Sequence, residues 1–236
     1  MGATRGYVFV WREQGFQPAE IRSALRKVLW SVEHGRQQIY AARKALMREL
    51  VQSAGLPGEM LWQPFLRTSE PEAWACLQRG SRWLAVNDNV TEDGLEQPEE
   101  ALETAEQYAR AFRAPALVCS VFDSDFSILA YVHPWMGFRA YRLGGRPIGY
   151  CEPCTREQRQ LPEFLCPFLT DGGEKRLEEL WLQRYDCEED RIADLAGLLG
   201  ACLYDREAGR LPEDAEILSI RQEELERTGQ KPDEER

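Results

Sequence analysis

Residues Ala114 to Tyr150 read A-P-A-L-V-C-S-V-F-D-S-D-F-S-I-L-A-Y-V-H-P-W-M-G-F-R-A-Y-R-L-G-G-R-P-I-G-Y, and this stretch decides the fold. Ala116 to Phe122 is almost entirely apolar and does not alternate. A strand without alternation is normally covered on both faces. Asp123-Ser124-Asp125 then supplies turn chemistry, because these short polar side chains bond nearby backbone groups. Phe126 to His133 reads as the return strand, with Phe126, Ile128, Ala130 and Val132 on one face. Pro134 ends it, since proline cannot donate to a ladder. Met136 to Leu143 reads as a third strand, closed by Gly144-Gly145. The expected unit is an antiparallel meander around a central hairpin.

Working outward, Gly6 to Trp11 is a short β-favouring run expected to join the same sheet. From Pro18 to Ala54 one helical stripe keeps its phase through Ile21, Leu25, Val28, Val32, Gly35, Ile39, Ala42 and Leu46. It predicts a single long N-terminal helix, about 55 Å at ~1.5 Å per residue. A break at Gly35 is the alternative, because glycine inside a helix costs about 1 kcal/mol relative to alanine. The stripe is read as core packing rather than a coiled coil, since no sustained charge alternation flanks it.

Ser69-x-x-Glu72 has the capping-box spacing, so a short helix is expected there, ending at Gly80. Ser81 to Val86 reads as a strand. Pro98 opens a helix to Arg113, with Ala101, Leu102, Ala105, Tyr108, Ala109 and Phe112 on its apolar face. After Gly149 the chain turns irregular. A helical pair is expected near the C-terminus, one helix from Glu174 to about Tyr185 and another capped by Asp186 with Glu189. The whole predicts one α+β domain over residues 1–210: a mostly antiparallel sheet, the long N-terminal helix and the C-terminal pair. Residues 211–236 read as an acidic, partly disordered tail.

The chain has 236 residues, 43% of them hydrophobic, which suffices for one sizeable core. Its formal net charge of -11 disfavours a nucleic-acid binder and an anionic membrane surface, and leaves room for a basic protein partner. No run of ~18 apolar residues is present and the N-terminal stretch lacks a signal-peptide pattern. Seven scattered cysteines, an odd number, read as reduced thiols in a cytoplasmic protein. A monomer or weak homodimer is expected.

Candidate chemistry is sparse. Asp123 and Asp125, two residues apart, could share a hard cation or act as an acid/base pair, which would make the chain a metal-dependent hydrolase. The plainer reading is two turn aspartates. His133 is the one candidate base, and a strand-end histidine before proline is more often a hydrogen-bonding residue; a pairing with Cys119 or Cys151 has no support from spacing. Cys151-x-x-Cys154 could form half a zinc site completed by Cys166 and Cys187, or a redox pair. Those spacings match no common zinc knuckle, so ordinary thiols are expected and no metal. No phosphate-cradling glycine loop, dinucleotide fingerprint or nucleophile elbow occurs, so no cofactor is expected. The expected role is that of a non-enzymatic protein-binding module with an acidic surface, which an immunity- or antitoxin-like protein would suit.

Overall fold

The computed structural model describes residues 5–31, 72–88, 97–122, 124–145, 160–170, 172–203 and 214–221. Among the described residues seven strands form one sheet, antiparallel throughout: β1 Arg5–Trp11, β2 Glu72–Gln78, β3 Trp83–Asp88, β4 Ala116–Phe122, β5 Phe126–His133, β6 Phe138–Gly145 and β7 Ala215–Arg221. Their order across the sheet is β6-β5-β4-β1-β3-β2-β7. The meander β4–β5–β6 occupies one side, and β1 joins it to the rest by pairing Val8 with Val118 and Val86.

The missing alternation in β4 has its cause in two helical layers. On one face Ala116, Val118, Ile128 and Ala130 pack with Val8 and Val10 under helix α1, helical over residues 18–31, and helix α2, Pro98–Phe112. On the other face Leu117, Cys119, Leu129 and Tyr131 pack with Phe9 under helix α3, Gly173–Leu182, helix α4, Glu188–Leu199, and a 3-10 turn, Glu163–Phe168. Each central strand therefore buries both of its faces.

The α+β class stands, but the long N-terminal helix expected over 18–54 does not belong to this architecture. Helical residues are described over 18–31 only, and residues 32–71, with Gly35 and the remainder of the stripe, lie outside the described residues. The physical reason is span. Six spacings of ~4.8 Å make a seven-stranded sheet about 29 Å across, well short of a 55 Å helix. The buried stripe Ile21, Ala24, Leu25, Val28 and Leu29 already lies within the described turns.

The short helix expected after Ser69 is strand β2 instead. Its side chains divide with period two, Ala73 and Ala75 entering the first core while Cys76 faces the opposite layer. Burial between β3 and β7 overrides the local capping signal. In β7, Leu218 and Ile220 are buried. The buried carboxylate of Asp88 on β3 accepts a 2.5 Å hydrogen bond from the Tyr108 hydroxyl of α2, fastening that helix to the sheet.

Candidate functional site

Among the described residues two places carry concentrated chemistry, and they lie at opposite ends of β5. The first is a cleft of about 520 Å³ between the β4–β5 turn, the end of β6, and the α3–α4 junction. Its lining includes Ser124, Asp125, Gly145, Tyr185, Glu188 and Arg191. Glu188 and Arg191 form a buried ion pair with Nε to Oε2 at 2.9 Å. The same carboxylate oxygen accepts a 2.6 Å bond from Ser127 Oγ of β5. The guanidinium also donates to the carbonyls of Leu180, Trp181 and Gln183, and lies over the rings of Trp181 and Tyr185.

These bonds use the donors that would otherwise grip an anionic ligand. Arg191 instead satisfies carbonyls that the end of α3 leaves without helical partners. The approach of Glu188 to β6 requires glycine. A Cβ at Gly144 would meet Ser127 Oγ and stand 2.9 Å from Glu188 Oε2, and one at Gly145 would meet the Asp125 carbonyl oxygen and stand 2.8 Å from Glu188 Cδ. Glu188 N also donates to Ser124 O, and Ser124 Oγ donates to Glu189 Oε1. The floor of the cleft is thus a clamp that holds α4 to the meander. Asp186 does not cap α4 as expected. Cys187 holds that position, with no side-chain capping bond.

Asp125 lies exposed on the rim of this cleft. Asp123 lies outside the described residues, as do Cys151 and Cys154. Cys166 belongs to the 3-10 turn, and burial, with Glu174 and Glu163 nearby, pushes its thiol up. The Cys187 thiol is pulled down by a backbone hydrogen bond at Asp190, but burial and the Asp190 and Glu189 carboxylates outweigh this and raise it. Among the described residues no three His, Cys, Asp or Glu side chains gather in a metal-binding group. No helix among them is long and apolar enough to cross a membrane. Cys119 sits in the second core, its thiol raised by burial, and no histidine is among the described residues of that core.

The second place is the β5–β6 turn. His133 ends β5 with Nδ1 buried and without a hydrogen-bond partner among the described residues, its ring 5.7 Å from that of Trp135. Beyond it the chain projects apolar side chains into solvent: Trp135 is 69% exposed, Met136 75% and Phe138 44%. Among the described residues Leu182 is the other large apolar side chain so exposed. The tip is anchored from beneath. Phe138 packs on Tyr131, whose ring stacks on Phe164 at 5.3 Å, so an aromatic column runs from the second core to the surface. Gly137 turns the chain with φ +61.

In the sequence Met136 reads as the start of a strand, which hides the tip. The signal was present in Trp135-Met136-Gly137-Phe138, where apolar residues directly follow a strand-ending proline in a turn position. No family model, curated protein or solved structure matches the chain.

Proposed function

We propose that this chain is a protein-binding module that docks a basic partner through the β5–β6 tip. The observation that carries the reading is the cluster of Trp135, Met136 and Phe138, exposed side by side on a short turn. Large apolar side chains concentrated on a surface mark interaction sites, whereas scattered ones do not. Tryptophan supplies the strongest single anchors at interfaces, and methionine adapts to the pocket it enters. The aromatic column below the tip reduces the ordering cost of binding. The net charge of -11 supports a basic partner, drawn in over long range before the apolar contact forms. An immunity- or antitoxin-like chain that covers a basic protein is one form of this role.

The test compares capture by immobilised wild-type protein and by the Trp135→Ser/Met136→Ser variant from extract of the native cells. A basic protein retained by the wild type, lost with the variant and weakened by high salt supports the reading. Equal retention by both proteins refutes it. Both substituted side chains are mostly exposed, so the variant should melt at the wild-type temperature.

A further inference from the structure

The described thiols include one close pair. Cys76 on β2 and Cys202, two residues beyond the glycine that ends α4, place their Sγ atoms 3.3 Å apart although 126 positions separate them in sequence. Both are buried, and both are free thiols. The segment carrying Cys202 is held in place: Gly200 ends the helix at φ +68, and its carbonyl accepts a 2.8 Å bond from Ser81 Oγ. A disulfide needs about 2.05 Å between sulfurs, so only a small side-chain movement separates the pair from a bond.

A small cavity of about 20 Å³ reaches the pair, lined by Tyr7, Trp74, Asn87 and Leu203 as well as the two thiols. Its volume is close to that of one water-sized probe. Asn87 Nδ2 donates to Gly6 O, while Asn87 Oδ1 is buried with no hydrogen-bond partner among the described residues. The cavity therefore combines two adjacent thiols with an unused acceptor for a small O–H donor.

We propose that Cys76 and Cys202 form an oxidative modification site at which hydrogen peroxide converts the two thiols into an intramolecular disulfide. Peroxide is a compact oxidant only two oxygens long and has an O–H group to give Asn87 Oδ1; glutathione disulfide is far too large for the cavity. The sulfur of Cys202, as thiolate, attacks one peroxide oxygen and the O–O bond breaks. The departing hydroxide takes a proton and leaves as water, and Cys202 becomes a sulfenic acid. The sulfur of Cys76 then attacks that of Cys202, the S–O bond breaks, and the second oxygen leaves as water with the Cys76 proton. Two thiols are oxidised and one peroxide is reduced to two waters.

The directions in which the two thiols shift support these roles. Either sulfur can donate in their contact; paired in this way, the Cys202 thiol is lowered against burial and the Asp214 carboxylate, while the same bond and burial raise that of Cys76. A lowered thiol supplies the attacking thiolate, and its neighbour resolves the sulfenic acid.

The experiment treats the full chain with hydrogen peroxide or with glutathione disulfide, blocks remaining thiols in denaturant and maps the peptides. The expected result with peroxide is one disulfide, Cys76 to Cys202, with a melting temperature raised by about 10 °C and restored by reductant. Glutathione disulfide is expected to leave the pair reduced. In Cys76→Ser a dione probe for sulfenic acid should label Cys202, and in Cys202→Ser it should leave Cys76 unlabelled. The alanine variants, checked by circular dichroism, repeat this comparison should a serine variant fail to fold. The proposal is overturned if peroxide leaves both thiols alkylatable, if it links a different pair, or if Cys202 is over-oxidised without a disulfide. The wild-type mapping decides between these outcomes without any substitution.

Discussion

Replacing Arg191 with methionine tests whether the Glu188–Arg191 clamp holds α4 to the meander. Methionine keeps much of the side-chain volume over Trp181 and Tyr185 but removes the guanidinium. Glu188 then remains buried as a carboxylate with the Ser127 hydroxyl, and three carbonyls at the α3 end lose their donor. Side-chain exposure is 6% for Arg191 and 4% for Glu188, so solvent screens little of the lost interaction. Breaking one side of such a buried pair costs about 3–5 kcal/mol. For a chain of this length that lowers the melting temperature by about 10 °C. Urea unfolding of the wild type, Arg191→Met, Glu188→Gln and the double variant closes a thermodynamic cycle. The double variant should be more stable than Arg191→Met alone, with a coupling of about 2 kcal/mol. The reasoning fails if the two single effects add to within about 0.5 kcal/mol, because the groups would then not act as a pair.

Three further outcomes follow from neighbouring geometry. Gly145→Ala should cost about 3 kcal/mol in urea unfolding, since φ is +74 and the new Cβ runs into the backbone carbonyl oxygen of Asp125 and then the Glu188 side chain, while Gly80→Ala, at φ +80 with nothing within 4 Å, should cost about 1 kcal/mol. Tyr108→Phe should destabilise by about 1–3 kcal/mol by removing the bond to buried Asp88; an unchanged denaturation midpoint would count against that fastening. Burial, reinforced by the hydrogen bond to Asp194, lifts the Tyr185 phenol from 10.0 to about 12. The unfolded chain then loses this proton first, so the stability the phenol contributes is complete below pH 10 and declines as pH rises to about 12. Tyr185→Phe should show a shallower decline over that window, and identical pH profiles would contradict the shift.

The meander was legible in the sequence because its signals are local. Asp123-Ser124-Asp125 and Pro134 bracket the strands, and the run Ala116–Phe122 announces a strand covered on both sides. Strand β2 was not legible. Ala73 and Ala75 carry little strand preference, and only the neighbours β3 and β7 make them core residues. The same holds for β7, whose ladder only β2 supplies. The clamp was hidden for a different reason. Glu188 and Arg191 look like ordinary helix charges, and Ser127, 61 positions away, is what shows that they turn inward. Gly144-Gly145 read as a simple strand end, although it is also the space into which Glu188 fits. The Cys76–Cys202 pair joins the sheet to the end of α4, a juxtaposition that spacing does not encode.

The proposed role rests on contact made by the β5–β6 tip, and site-specific photo-crosslinking in the native cells measures that contact most directly. A photoreactive phenylalanine analogue is placed at position 135, and in a control at position 175, where Lys175 is exposed on α3. The account expects one basic protein to be joined at 135 and not at 175. The same products from both positions, or none from 135, would contradict it.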